Sequence, residues 1–379
     1  MDQTTFEGLL GALQVNLRAD PGLTGLTVTA GRYDAPVVVL IHGIGGTAQH
    51  WTNPVGMDIN ETWLFDLAAP PPAGTTGLGM CPPYQEGSVT PWSRRLGSQG
   101  MSTITWSQAR PNDLLQFAVV ETVALLSGLE AQVFAPYARD VAATGSDPPP
   151  IILLCHSRGG LVARAALKAL GGNGLPHLRA VITLSTPHVG SYMPQLADDY
   201  NRGLSQNVDF RGLTASLPGF FAVRVQSLLD QVADQVREGL LHRFGSVAAG
   251  PGYDELLPGS TALAALGQGE LPLPGVRYHS FGGSDPSFVR FYLCEAGQCL
   301  ALPEVSPYLV AELSRQPDIA ARYGGLAELD KGDSSVALSS SPWPPVYTAV
   351  NQHHVSFYNH MQALVDPALQ EAVLALLQA

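Results

Sequence analysis

Short apolar runs recur along the chain and alternate with stretches of helical period. Residues 37–41 and 151–154 are continuous aliphatic runs of strand length that begin after a proline, and residues 178–184 form a similar run interrupted only by Arg179 and Thr183. Such runs are typical of parallel strands that are buried on both faces. Residues 114–141 and 161–170 carry apolar side chains at helical spacing instead. Strands that alternate with helices on this scale predict an α/β fold, with a mostly parallel central sheet and helices on both faces.

Weaker patterns predict the remaining elements. A bend is expected near Pro136 in the long helix, because proline lacks the N–H that the helix needs. The Pro-, Gly- and Thr-rich residues 67–91 predict a long loop. The other predicted elements are a lead-in strand at 26–29, a helix at 92–100, strands at 101–106 and 276–281, and a C-terminal helix with Asp366 as N-cap and Pro367 at its first position.

The aliphatic run at 151–154 ends abruptly in a small polar cluster around Ser157. A serine at so sharp a strand-to-helix junction projects outward, beside the positive end of the following helix. The pattern Cys155-x-Ser157-x-Gly159 resembles the nucleophile elbow of the α/β-hydrolase family, with Cys155 in place of the usual first glycine. Ser157 is therefore the predicted nucleophile. A serine in an ordinary strand-to-helix turn is the alternative interpretation.

The first aliphatic run ends in His42-Gly43-Ile44-Gly45-Gly46. In the family that the elbow resembles, a His-Gly motif in the loop after an early strand supplies half of the oxyanion hole. The resemblance therefore implies that the backbone N–H groups of Ile44 and Arg158 are the oxyanion donors. A plain glycine turn is the alternative, and His42 itself is interpreted as structural in either case.

A serine nucleophile needs a base that is oriented by a carboxylate, and in this family the order along the chain is Ser, Asp or Glu, then His. Residues 332–336, Gly-Asp-Ser-Ser-Val, resemble the Gly-Asp-Gly-x-Val loop that carries the acid in lipases, with Ser334 in place of the second glycine. Asp333 is therefore the predicted acid. Asp285 is the alternative, because it follows a predicted strand.

The resemblance places the catalytic histidine about two dozen residues after the acid, where His353 and His354 lie. His354 is the predicted base, because the family histidine is usually followed by an aliphatic residue and Val355 follows His354. His353 stays open as an alternative. His360 is disfavoured, on the expectation that it would have to reach back from a following helix.

A second and more specific resemblance comes from Ser185-Thr186-Pro187-His188-Val189-Gly190-Ser191, which is similar to a segment of bacterial triacylglycerol lipases and esterases. His188 is expected to fix this loop by hydrogen bonding. The resemblance implies an α/β-hydrolase core of residues 1–190 and 276–379 and a helical cap, or lid, of residues 191–275. An amphipathic stripe at 225–240 fits a cap helix. A mobile lid and a permanently packed cap both remain open.

The composition and net charge limit the classes of molecule that the protein is expected to bind. The net charge is −12 at pH 7, and lysine occurs only at Lys168 and Lys331, which argues against a nucleic-acid partner. A neutral ester or lipid substrate, bound at a lipid–water interface, fits better. No cofactor is predicted. Nor is a calcium site, because Ser356 occupies the position, two residues after His354, where some bacterial lipases carry an aspartate ligand.

Two features of the sequence bear on the cellular location. No apolar run reaches the length of a membrane span, and the N-terminus lacks the basic start and apolar run of a signal peptide. A secreted protein whose signal has been removed and a cytoplasmic protein both fit. Cys294 and Cys299 flank a short loop that a disulfide would close, with two free thiols as the alternative.

These observations predict a serine hydrolase of carboxylic esters, a lipase that acts on acylglycerols or related acyl esters through an acyl-enzyme. A short-chain esterase, a polyester depolymerase or an acyltransferase would use the same triad. A catalytically inactive binding protein built on the fold is the alternative from another class.

Overall fold

The computed structural model describes most of the chain, and every structural statement below refers to those residues. They are residues 1–23, 25–54, 77–80, 89–141, 148–171, 174–201, 206, 208–214, 233–234, 236–238, 241, 250–286, 291–295, 298–301, 305–322 and 331–378.

A seven-stranded sheet forms the centre of the molecule. The described residues contain strands of this sheet and of a second, smaller one. In chain order all of these strands are β1 (Thr27–Thr29), β2 (Val37–Ile41), β3 (Gly77–Met80), β4 (Ser102–Thr105), β5 (Ile151–His156), β6 (Leu178–Leu184), β7 (Arg277–Gly283), β8 (Phe291–Glu295), β9 (Gln298–Ala301) and β10 (Asn351–Ser356). The central sheet has the order β1-β4-β2-β5-β6-β7-β10. Only β1 runs antiparallel to its neighbour; the other adjacent strands are parallel.

Helices cover both faces of this sheet. The helices of the described residues are, in chain order, α1 (Gln3–Arg18), α2 (Gln49–Thr52), α3 (Trp92–Gly97), α4 (Leu115–Leu129), α5 (Ala135–Val141), α6 (Arg158–Leu170), α7 (Met193–Asn201), α8 (Thr261–Gly267), α9 (Val305–Ser314), α10 (Pro317–Arg322) and α11 (Pro367–Gln378). Alternate residues of β2 pack into opposite cores. Val37 and Val39 join the core formed with α1, α4 and α6, whereas Val38 and Leu40 join the core formed with α3 and α11. The predicted α/β class and the two-sided burial of the aliphatic runs are thus confirmed.

The helix predicted for residues 114–141 is interrupted close to Pro136, where a bend was expected. α4 and α5 are joined by one π-helical turn, Glu130–Phe134, directly before Pro136. Proline at that position lacks a backbone donor and its ring crowds the carbonyl four residues earlier, and a wider turn relieves both problems. Leu115–Asp140 is long and apolar enough to cross a membrane, but half of its most apolar stretch is buried inside the protein. A core helix has the same property.

Two stretches predicted as loops contain strands. Within 67–91, residues 77–80 form β3, and the segment around Cys294 and Cys299 forms the hairpin β8–β9; together they make a second, antiparallel sheet of order β3-β8-β9. The register places the backbones of Cys294 and Cys299 directly opposite each other. The choice between a disulfide and two thiols stays open.

The predicted cap, residues 191–275, is described only in parts. These parts are α7, the 3-10 turns Phe210–Thr214 and Pro251–Leu256, and α8. The expected amphipathic helix at 225–240 lies largely outside the described residues. The turn Pro251–Leu256 is tied to the core, since Gly252 N–H donates to the Asn112 carbonyl (3.0 Å). Within the predicted cap, the Leu256 carbonyl accepts from Ser191 N–H (2.7 Å).

Candidate active site

Ser157 occupies the turn between β5 and α6. Its backbone has φ 54° and ψ −130°, a conformation that non-glycine residues rarely adopt. The turn is tight on both sides: a Cβ on Gly159 would lie 2.3 Å from the Ile41 carbonyl oxygen, and one on Gly160 would lie 2.3 Å from Thr186 Oγ1. Small residues are therefore required here, as the elbow motif predicts.

Ser157, His360 and Asp333 form a hydrogen-bonded chain. Ser157 Oγ lies 3.0 Å from His360 Nε2, and His360 Nδ1 lies 3.0 Å from Asp333 Oδ2. Asp333 is 1% exposed, Ser157 7% and the side chain of His360 13%. A serine, an imidazole and a buried carboxylate in this order can transfer a proton from the hydroxyl and hold the resulting imidazolium.

The loop that carries Asp333 forms a tight turn. Asp333 Oδ1 accepts hydrogen bonds from the backbone N–H groups of Ser335 (3.1 Å) and Val336 (2.8 Å), which leaves Oδ2 for His360. Ser334 has φ 76°, the left-handed conformation that glycine favours. Ser334 therefore holds a backbone conformation that a glycine would adopt without strain.

The sequence-based choice of His354 as the base is not what the geometry gives. His354 lies in the edge strand β10, paired with Phe281 of β7, and its ring stacks on the Phe281 ring at 4.5 Å. β10 is three strands from β5 in the sheet, so it is about 14 Å from the strand that carries Ser157. The alternative, His353, also lies in β10, where Nδ1 is 3.0 Å from Ser280 Oγ.

The imidazole beside Ser157 is instead that of His360, because the chain turns back over the sheet after β10. His360 lies in a turn between β10 and the short 3-10 turn Gln362–Leu364, and α11 begins only at Pro367. Leu369 N–H donates to Asp366 Oδ1 at 2.7 Å, which confirms the predicted N-cap. Because the helix begins after this cap, His360 lies in a loop, and the expectation that it would have to reach back from a helix was wrong.

Asp333 rather than Asp285 meets the His360 ring. Asp285 is buried after β7, and its N–H donates to the Tyr358 carbonyl at 3.2 Å.

His188 has the predicted loop-fixing position: it is buried, with Nε2 3.1 Å from Thr183 Oγ1, and its carbonyl accepts from Arg164 Nη1 at 2.9 Å.

The loop after β2 lies against Ser157. A Cβ on Gly43 would be 2.8 Å from Ser157 Cβ. The Gly43 carbonyl accepts from His42 Nδ1 (2.9 Å) and from Gly46 N–H (3.2 Å). Because C=O and N–H point in opposite directions across a trans peptide, this pairing turns the Ile44 N–H away from His42. In the part of the chain that the structure describes, neither Ile44 N–H nor Arg158 N–H donates to another backbone group.

The side chain of Arg158 holds the segment of residues 108–113 by hydrogen bonds. It is fully buried, and Nη1 donates to the Asp113 carbonyl at 2.6 Å, while Nη2 donates to Gln108 Oε1 and to the Pro111 carbonyl, both at 3.0 Å. The Pro111 carbonyl also accepts from Gly45 N–H at 3.0 Å. Arg158 therefore fixes the segment that holds the glycine loop.

Buried imidazoles around the site are neutral. Burial lowers the pKa of His42 to about 3 and that of His50 to about 4, and it holds the pKa of His156 well below its usual value. Gln108 N–H donates to His42 Nε2 at 3.1 Å, which requires the proton of His42 to be on Nδ1. Among the described residues, no group of three or more His, Cys, Asp or Glu side chains is arranged to hold a metal ion.

A parallel sheet of this order, with its serine on the strand-to-helix turn after a central strand, has a known architecture. The chain has the α/β-hydrolase fold.

The solved structures that are similar to this chain include a lipase, an esterase and a hydrolase, and their sequences are distant from it. No family model and no curated protein matches the chain. The mature form of a Bacillus licheniformis lipase is 14% identical, with a TM-score of 0.46 over 93% of this chain and 97% of that one. A metagenomic carboxyl esterase is 14% identical (TM-score 0.39, 92% and 77% covered), and an Oleispira antarctica hydrolase 8% (TM-score 0.39, 96% and 97% covered). At such distances, only the geometry of the site bears on the chemistry.

Proposed function

We propose that this protein is a serine hydrolase of carboxylic esters, with Ser157 as nucleophile, His360 as general base and acid, and Asp333 as the orienting carboxylate. One observation carries the proposal: two 3.0 Å contacts link Ser157 Oγ, the two ring nitrogens of His360 and Asp333 Oδ2 on a strained elbow. A structural role alone does not account for a serine held in a rare backbone conformation against a carboxylate-bound imidazole.

The reaction follows from this geometry. Ser157 Oγ attacks the ester carbonyl carbon while its proton passes to His360 Nε2, and Asp333 holds the imidazolium that forms. The negative charge on the carbonyl oxygen is stabilised by the N–H groups of Ile44 and Arg158, each contributing on the order of 3 kcal/mol. The proton of His360 then goes to the leaving alkoxide. Water, deprotonated by the same imidazole, releases the acid from the acyl-enzyme and returns the proton to Ser157.

Within the esters, we propose acylglycerols or related acyl esters as substrates. The Thr186-Pro187-His188 segment and the insertion of residues 191–275 support a lipase over a small-ester esterase. The net charge of −12 is consistent with a neutral substrate. Action at a lipid–water interface and secretion are part of the same proposal.

Hydrolysis of a p-nitrophenyl ester series, from short to long acyl chains, tests the chemistry. We expect Ser157→Ala and His360→Ala to lower kcat by about 10⁴-fold or more, because the members of a triad act as one unit. His354→Ala is the matched control and should keep most of the activity. A maximum at long acyl chains supports a lipase.

The opposite ranking of the two histidines would contradict the assignment of the base. Full activity in Ser157→Ala would rule out the serine mechanism. A wild-type protein that hydrolyses no ester and does not react with a fluorophosphonate would overturn the proposed function as a whole.

A further inference from the structure

His360 lies outside every helix and strand, in a turn whose position must be fixed by other means. Its backbone is held at both ends. His360 N–H donates to the carbonyl of Asp333 at 2.9 Å, and the His360 carbonyl lies 2.8 Å from Nε2 of His156. The residue next to the nucleophile therefore contacts the backbone of the base directly.

The direction of this second hydrogen bond defines the state of His156. A carbonyl oxygen only accepts, so Nε2 of His156 carries the proton and Nδ1 does not. Nδ1 is buried and has no hydrogen-bond partner among the described residues. The His156 side chain thus has a single polar contact there, and that contact is with the backbone of His360.

His156 is itself rigidly placed. It is the last residue of β5, in register with Leu184 of β6, and is 2% exposed. Its ring lies 4.8 Å from the His360 ring and edge-on to Trp51 at 6.5 Å. A donor fixed on the central strand therefore sets the position of a base that arrives from the edge of the sheet.

We propose that His156 is a positioning residue, whose Nε2–H anchors the backbone of His360 so that its ring reaches Ser157. This inference rests on the proposed function of Ser157 and His360. Neither the motif nor the resemblance assigns a task to the residue before the nucleophile. The same geometry explains how a base in an irregular turn is held 3.0 Å from Ser157 Oγ.

A pair of variants of similar shape separates the donor from the side-chain volume. Gln and Met are both unbranched and of similar length, but only Gln carries an N–H group near the position of Nε2. We expect His156→Met to lower kcat for p-nitrophenyl esters by on the order of 10²-fold, the effect of a displacement of about 1 Å at a reacting group. KM should change little, and His156→Gln should recover most of the lost kcat.

The rate of reaction with a fluorophosphonate should follow the same ranking, with Ser157→Ala as the unreactive control. Wild-type kcat in a folded His156→Met variant would overturn the proposal. So would equal losses in the Gln and Met variants, because the ring volume and not the donor would then matter.

A measurement on the wild-type protein keeps the inference testable even if the Met variant does not fold. In ¹⁵N-histidine NMR spectra, the signals missing from His156→Gln identify His156. We expect its Nε2 to be protonated and its Nδ1 to be unprotonated at neutral pH, and the reverse tautomer would overturn the proposal. If the wild type shows no esterase activity, the proposed function fails, and the tautomer still decides whether His156 holds the His360 backbone.

Discussion

At the scale of single residues, the tautomer of His42 determines the orientation of the Gly43–Ile44 peptide. Nε2 accepts from Gln108 N–H, so the proton on Nδ1 is available for the Gly43 carbonyl. A doubly protonated ring would have no acceptor at Nε2 and would lose the hydrogen bond from Gln108 N–H. Burial prevents that at neutral pH, since it lowers the pKa of His42 to about 3.

Replacing His42 by residues of similar size tests this role. Asn keeps an N–H group near the position of Nδ1 and Leu does not. In His42→Leu, the Gly43 carbonyl loses its side-chain donor and the peptide can rotate, so we expect kcat to fall by about 10²-fold with little change in KM. His42→Asn should lose less. Steady-state kinetics on a soluble p-nitrophenyl ester check this, and wild-type kcat in a folded Leu variant would contradict it.

Of the three residues that we propose as the triad, two could be predicted from local sequence and the third could not. Ser157 and Asp333 each lie in a turn whose own residues define its shape, through the small neighbours Gly159 and Gly160 and through the positive φ of Ser334. His360 has no such local signature. Its position depends on the path of the chain after β10. The aliphatic residue that follows His354 is Val355, and it belongs to the edge strand β10.

At the scale of elements, the crossing of α6 over the ends of β2 and β6 leaves no room for side chains. Backbone and side-chain atoms of the neighbouring segments meet the elbow glycines directly, at Ile41 for Gly159 and at Thr186 for Gly160. The hydrogen bond from Thr186 Oγ1 to the Ser157 carbonyl (2.8 Å) closes the turn further. The strained φ of Ser157 is maintained by this packing.

Gly159→Ala should therefore be strongly destabilising. Its Cβ would lie 2.3 Å from a carbonyl oxygen that belongs to the backbone of β2 and cannot move aside easily. We expect the free energy of unfolding to fall by about 3 kcal/mol, at the upper end for overpacking.

Gly11→Ala is the control for Gly159→Ala, since it lies within α1 and a Cβ there meets no atom within 4 Å. It should raise the free energy of unfolding by roughly 0.5–1 kcal/mol. Urea unfolding followed by circular dichroism measures both, and equal stability of the two variants would contradict the packing argument.

The elements that the sequence predicted well are those with a strong period and clear ends. β2, β5 and β6 are buried on both faces, so nearly every residue is apolar, and Asp366 and Pro367 define the start of α11. The order of the strands could not be predicted in the same way, because it depends on contacts between residues far apart in the chain. β10 was missed as a strand because it lies at an edge of the sheet, where polar residues such as Gln352 and His353 are exposed.

At the scale of the whole molecule, burial of histidines links folding to pH. The sequence has ten histidines, and the structure buries His42, His50, His156, His188 and His279. Burial is the first cause of the lowered pKa in each of them. An unfolded histidine binds a proton below a pH of about 6.5, whereas these remain neutral in the folded protein. The unfolded state therefore binds more protons, and stability must fall as the pH falls below that value.

His279 allows one of these contributions to be measured away from the triad. Burial, assisted by the nearby charges of His354 and Arg277, lowers its pKa to about 4, and its ring nitrogens have no hydrogen-bond partner among the described residues. Its contribution is fully present above a pH of about 6.5 and is lost as the pH falls toward 4. His279→Phe should therefore reduce the slope of unfolding free energy against pH in this window by up to one proton, or about 1.4 kcal/mol per pH unit. Urea unfolding across the window measures the slope. Activity at neutral pH should be kept, and a slope equal to that of the wild type would show that His279 binds its proton equally in both states.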